Sequence, residues 1–191
     1  FQAVGSGTGA IAAWENAARL AADGRFGENK MRIYASQNAP FTIMYDSWKA
    51  HSRELVPMTP EEGRQKAEVI LGKVLSNRKP PYSLAGGLFD VLEKSGGDMF
   101  KVTNDEIVSW VVKYFSLEGY DLFPASACAV SSLKQALDAG IVKHDETVML
   151  NVTGGGMLGA TRKGFILKEP DLILSPDLPA EEIIAAVDKL F

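Results

Sequence analysis

A chain of 191 residues, 46% hydrophobic and 23% charged, is long enough to bury one core and has the balance of an ordinary soluble globular protein. It has no apolar run approaching the roughly 20 residues of a membrane span, and a net charge of −4 with scattered lysines and arginines offers no basic face for nucleic acid. One cysteine, Cys128, and two histidines, His51 and His144, exclude an internal disulfide and argue against a cysteine- or histidine-based metal site, which together suggest a cytoplasmic setting.

In chain order, residues 1–4 (FQAV) read as a buried strand already under way at the first position. With no initiator methionine, no signal segment and no preceding strands, this beginning suggests the C-terminal part of a longer protein. Glycines follow at 5, 7 and 9, and an alanine-rich helix over 10–22 stops at Asp23-Gly24. KMRIYA, residues 30–35, has the β-branched and aromatic character of a second strand. A turn at Pro40 leads to a short helix over 43–53. Thr59-Pro60-Glu61-Glu62 opens another, expected to run to about 75, because it combines a capping residue, a proline at the first position and acids in the first turn.

NRKPPY, residues 77–82, is a stiff loop, since two prolines cannot sit inside a helix. A helix is expected over 83–93 despite Gly86-Gly87, and a strand over 99–102. Thr103 to Glu106 is a capping box for a helix to about 115, and Pro124 starts a helix rich in small residues that Gly140 closes. ETVMLNV, residues 146–152, reads as a near-continuous apolar strand of a sheet covered on both faces, and it ends in TGGG. A helix started by acidic residues follows residue 178. Alternating strands and helices predict an α/β architecture with a mainly parallel sheet flanked by helices.

The strand, glycine loop and helix start at residues 1–10 form an anion site in outline: outward N–H groups, close approach at glycine and a favourable helix dipole. Gly5, Gly7 and Ala10 satisfy the dinucleotide fingerprint, but the second strand closes in Ser36-Gln37-Asn38, with no acid for a ribose, which weakens a nicotinamide enzyme. Gly9-Ala10-Ile11 rules out a P-loop. A smaller phosphate, that of pyridoxal phosphate, remains.

The far end of the chain points the same way. EGYDLFPASACAVSSLKQAL, a strand, then NVTGGGM resemble the C-terminal part of fold-type II pyridoxal-phosphate enzymes, the threonine synthase and tryptophan synthase β-like group. FQAVGSGTGAIAAWE, DGRFG, QNAPF, NRKPPYSLAGGLFD and LNVTGGG narrow the resemblance to the cysteate synthases, a threonine synthase-like family of methanogenic archaea, over residues 1–156. The resemblance implies the large-domain portion of a two-domain enzyme, with residues 1–178 as the cofactor-binding body and 179–191 as a terminal helix. It implies exchange of the phosphate of O-phospho-L-serine for sulfite, giving L-cysteate on the way to coenzyme M. The Schiff-base lysine of the family would lie upstream of Phe1, in a missing N-terminal half, so no catalytic residue is assigned here and the isolated chain is expected to be inactive.

Gly5, Ser6, Gly7, Thr8 and Gly9 are the expected cradle of the cofactor phosphate. Thr153, or Asn151 in its place, is the expected partner of the pyridine nitrogen. For substrate phosphate and sulfite the candidates are Arg78 and Lys79, because arginine clamps such anions through paired donors, and Gln37 and Asn38, at the strand end where α/β sheets bind ligands. Cys128 is read as core. Many relatives place an acid before the proline of the Pro-Ala-Ser segment, where this chain has Phe123. A homo-oligomer stays open, as do threonine synthase or another replacing enzyme of the same fold, a non-catalytic isolated lobe and, at low weight, a nucleotide-binding oxidoreductase.

Overall fold

The structure is a computed structural model that describes residues 1–166 and 168–191. Its contacts divide into two compact units, residues 1–156 and 157–191. The larger unit is built on a parallel sheet of three strands in the order β1 (Gln2–Ala3), β2 (Tyr34–Asn38) and β3 (Asp98–Val102). Helix α1 (Thr8–Asp23) joins β1 to β2. Helices α2 (Ile43–Lys49), α3 (Pro60–Val69) and α4 (Leu88–Ser95) lie between β2 and β3, and α5 (Asn104–Glu118) and α6 (Pro124–Asp138) follow β3.

Strand alternation divides the core. Val4, Ile33, Ala35 and Met99 pack with residues of α1, α2 and α4, among them Ala10, Met44, Leu88 and Leu92. Ala3 and Val102 face the other way, onto Ile107 of α5 and Ala127, Cys128 and Val130 of α6. Both faces of the sheet are therefore covered, as parallel strands require. Eight residues of α6 are buried, nearly all small, which lets this helix lie close to the sheet. The Ser131 and Ser132 hydroxyls return hydrogen bonds to Ala127 O at 2.9 Å and Ala129 O at 2.7 Å, so their burial leaves no polar group unpaired.

Several elements differ from expectation. The second strand is YASQN, residues 34–38, rather than 30–35. All five of its residues are buried, and its central place in the sheet outweighs the strand propensity of residues 30–33, of which Lys30 and Arg32 are exposed. Helix α3 stops at Val69 instead of near 75, because Ile70 turns extended and drops fully into the core. A single 3₁₀ turn, Lys73–Leu75, follows. Helix α4 starts only at Leu88: Gly86 is left-handed, and a Cβ on Gly87 would meet the carbonyl oxygens of Pro81, Tyr82 and Leu84.

Residues 146–152, expected as a doubly covered strand, form no ladder and stay largely exposed, with Met149 at 57% and Val152 at 40%. The Phe1 amino group donates to Met149 O at 2.8 Å and Asn151 N donates to Phe1 O at 2.9 Å, a parallel pair that ends there because β1 has only two residues. The smaller unit holds α7 (Met157–Arg162), for which the sequence had no signal, and α8 (Ala180–Asp188), which starts with Glu181 and Glu182 in its first turn. Among the described residues no helix is long and apolar enough to cross a membrane, and no group of three or more Cys, His, Asp or Glu could hold a metal ion.

Candidate functional site

The glycine loop leaves β1 at the carboxyl edge of the sheet and becomes the first turn of α1. Gly7 caps the helix at φ 84°, in the left-handed region where glycine meets no steric penalty. Gly5 is required for a different reason: a Cβ there would lie 2.5 Å from the Val74 carbonyl oxygen. At Gly9 the obstacle would be the amide end of the Gln2 side chain, which can move, so this glycine is the least constrained of the three. Among the described residues the N–H groups of Gly5, Ser6, Gly7, Gly9 and Ala10 find no acceptor. The Thr8 N–H reaches only Ser6 Oγ, at 3.4 Å, and the Ser6 and Thr8 hydroxyls lie 2.9 Å apart.

No acidic side chain occupies the first turn of α1, and no side chain caps it. The positive end of the helix dipole is thus left uncompensated, beside several unpaired donors and two hydroxyls, with Thr8 and Gly9 open to solvent. This donor set fits a phosphate monoester dianion, which offers three strong acceptor oxygens and would satisfy the orphaned amides.

The Phe1 pairing sets Leu150 opposite Phe1 in parallel register. Thr153 is exposed and lines a hollow of about 380 Å³ with Tyr114 and Tyr120, whereas Asn151 borders a separate groove of about 610 Å³ beside α1. The turn after Thr153 is held by α6. Ser126 Oγ donates to Gly154 O at 2.8 Å and accepts from Gly154 N at 2.9 Å. Gly156 N donates to Asp121 O at 2.8 Å, and the Phe123 ring packs on Gly154, filling with apolar surface the position where an acid was the alternative.

The four residues expected at the substrate fall into two groups. Gln37 and Asn38 are fully buried. Gln37 Oε1 accepts from Met44 N at 2.9 Å and Tyr45 N at 3.0 Å, capping α2 from outside the helix, and its Nε2 is buried without a partner. Asn38 spends both ends of its amide inside the protein: Oδ1 accepts from Gly72 N at 2.9 Å, and Nδ2 donates to Val102 O and Asn104 Oδ1, both at 3.1 Å. Expected to line a pocket, both side chains instead brace the sheet edge from within.

Arg78 and Lys79 are exposed. The Arg78 stem lies against Gly63 of α3 and its guanidinium turns toward Pro60 O, 3.5 Å away; Lys79 has no ion pair among the described residues. Asn104 is read from sequence only as part of a helix cap, yet it reaches across to Val69 and Leu71. Cys128 is core: burial pushes its thiol up to about 12, against a smaller opposing effect of its contact with Ser36, so it stays protonated at neutral pH.

Comparison with known proteins matches residues 1–154 to the pyridoxal-phosphate dependent enzyme family. The chain is 43% identical over 190 residues to a cysteate synthase of Methanocella paludicola, covering 98% of this chain and 44% of that protein. It is 41% identical to a cysteate synthase of Methanosarcina acetivorans and 42% identical to one of Methanocella arvoryzae, covering 96% and 98% of this chain and 45% of each relative. The chain therefore spans a little under half the length of the curated relatives it matches.

Proposed function

Because the chain belongs to the pyridoxal-phosphate dependent enzyme family, we propose that it is the C-terminal portion of a cysteate synthase, which exchanges the phosphate of O-phospho-L-serine for sulfite. The observation that carries this reading is the uncapped, acid-free start of α1 with its unpaired amides at Gly5, Ser6, Gly7, Gly9 and Ala10. The identity of more than 40% to several cysteate synthases supports the choice of reaction.

When bound, pyridoxal phosphate supplies the electron sink that lets the α-proton and then the β-phosphate of the substrate leave. The chain's own residues bind and orient. Gly5 to Gly9 hold the cofactor phosphate through backbone donors, with the Ser6 and Thr8 hydroxyls added. Thr153 meets the pyridine nitrogen with a neutral hydroxyl, which leaves that nitrogen unprotonated and suits β-elimination. Asn151 is the substitute if the turn shifts. Arg78 and Lys79, solvent-exposed on a proline-stiffened loop, receive the departing phosphate and the incoming sulfite. Gln37 and Asn38 support this edge without touching substrate.

The deciding experiment assays the full-length polypeptide with phosphoserine plus sulfite and, separately, with phosphohomoserine. Cysteate formation is expected; threonine formation without cysteate overturns the choice in favour of threonine synthase. On this reading the Schiff-base lysine would lie outside residues 1–191, and these residues alone are expected to be catalytically silent. After incubation with pyridoxal phosphate and dialysis, this chain alone is expected to keep no visible-range cofactor band and the full-length protein to keep one; a stable band on residues 1–191 alone would contradict the reading.

A further inference from the structure

The wall against which the glycine loop leans is the segment just after α3. Gly5 has room for no side chain because the Val74 carbonyl oxygen stands 2.5 Å from where its Cβ would be. That segment has little regular structure of its own: α3 ends at Val69, and only the single turn Lys73–Leu75 follows before the proline loop. Two asparagine side chains hold it. Asn104 Nδ2 donates to Val69 O at 2.8 Å, and Asn104 Oδ1 accepts from Leu71 N at 3.2 Å. Asn38 Oδ1 accepts from Gly72 N at 2.9 Å. The two amides are joined to each other by Asn38 Nδ2 to Asn104 Oδ1 at 3.1 Å, and Asn38 Nδ2 also anchors to Val102 O at the end of β3.

Asn104 is free for this work because α5 does not need it. Thr103 and Glu106 close a reciprocal capping box, with Thr103 N to Glu106 Oε2 at 2.7 Å and Glu106 N to Thr103 Oγ1 at 3.3 Å. The chemistry requires amides. Each side chain uses its oxygen on a backbone N–H and its nitrogen on a backbone carbonyl, a combination that neither Asp nor Leu can reproduce.

We propose that Asn104, acting with Asn38, is a positioning residue for the anion cradle: the asparagine pair clamps residues 69–75 against Gly5 and so sets the geometry of the loop that grips a phosphate monoester. The proposal rests on the reading of residues 5–9 as the cofactor-phosphate site. Asn104 touches neither cofactor nor substrate; it fixes the Val74 carbonyl, which fixes Gly5. Loosening the clamp weakens recognition of the phosphate and leaves the rest of the cofactor's contacts intact.

The test titrates the full-length apoenzyme with pyridoxal phosphate and, in parallel, with pyridoxal, which lacks the phosphate, following quenching of protein fluorescence. Loss of three modest hydrogen bonds in Asn104→Ala, passed on in part to the loop, is expected to weaken pyridoxal phosphate about tenfold and pyridoxal less than about twofold. Asn104→Asp keeps the oxygen that accepts from Leu71 and Asn38 and loses the bond to Val69, so it shows a smaller, equally selective loss, and it serves alone if the alanine variant does not fold. An unchanged affinity for pyridoxal phosphate, or an equal loss for both ligands, overturns the proposal. Gly5→Ala separates the two levels of inference. If it selectively weakens pyridoxal phosphate while Asn104→Ala does not, the clamp fails and the cradle stands; if it leaves pyridoxal phosphate binding intact, the cradle itself fails.

Discussion

Two glycine-rich segments of this molecule spend their backbone in opposite ways. In the loop over residues 5–9, every amide but that of Thr8 finds no acceptor among the described residues, while Gly5 is required by Val74 beside it and Gly7 by its left-handed turn. In the turn over residues 154–156, Gly154 exchanges hydrogen bonds with Ser126 and Phe123, Gly156 donates to Asp121, and a Cβ on Gly155, at φ 148°, would run into the Asp121 carbonyl. One segment leaves most of its donors unpaired; the other uses them to lock itself to α6 and the Asp121 carbonyl. The difference teaches that glycine content alone says little about an anion site, and that the unpaired donors at an acid-free helix start are what the proposed phosphate cradle rests on.

The largest expected effect tests that contrast directly. Gly155→Ala should destabilise the protein by about 2–3 kcal/mol, from steric conflict and a backbone conformation that alanine resists. Gly5→Ala should act chiefly on pyridoxal phosphate binding, weakening it at least about tenfold as the loop shifts its donors. Urea denaturation and cofactor titration on both variants would show the effects crossed; if both proteins lose stability and affinity in the same proportion, the two segments do not have separate roles.

Ser126→Ala comes next. It removes the hydroxyl that both donates to and accepts from Gly154, and should cost about 1–2 kcal/mol of stability in denaturant melts. Ser126→Thr keeps the hydroxyl and should recover most of that loss. Thr8→Ala is milder still: Thr8 is exposed and its hydroxyl meets only Ser6, so stability should hold within about 0.5 kcal/mol while pyridoxal phosphate binds about three- to fivefold more weakly through one lost donor.

The smallest effect concerns Cys128. Its thiol is raised from 9.0 to about 12 by burial, so its contribution to stability is fully present below pH 9 and is lost as pH climbs through about 12. At pH 8 an alkylating reagent should leave it unmodified until the protein unfolds, and rapid labelling of the native protein would contradict its place on the buried face of α6, against the sheet.

The helix starts at Thr59 and Thr103 were legible because a capping box is complete within four residues. The stop of α1 at Gly24, the start of α6 at Pro124 and the passage from strand through glycine loop to helix were legible on the same grounds, since each depends on backbone preferences of adjacent residues. The site was legible as far as its donors are local. Misplaced elements were those whose partners are remote. Tyr34–Asn38 outranks the more strand-like residues before it because it has neighbours on both sides, and residues 146–152, apolar enough for a buried strand, gain only one pairing, to Phe1.

By itself the sequence determined the capped helix starts at Thr59 and Thr103, the start of α6 at Pro124, the passage from strand through glycine loop to helix, and the family to which the chain belongs. Only the tertiary structure decided that Gln37 and Asn38 face inward, that Asn104 reaches past its own helix to Val69 and Leu71, and that Gly5 must be glycine because of Val74. The reason is range. Dihedral preference and capping act within a few residues, whereas the direction in which a buried amide finds its partner is set by which distant backbone groups the packed sheet edge leaves unpaired.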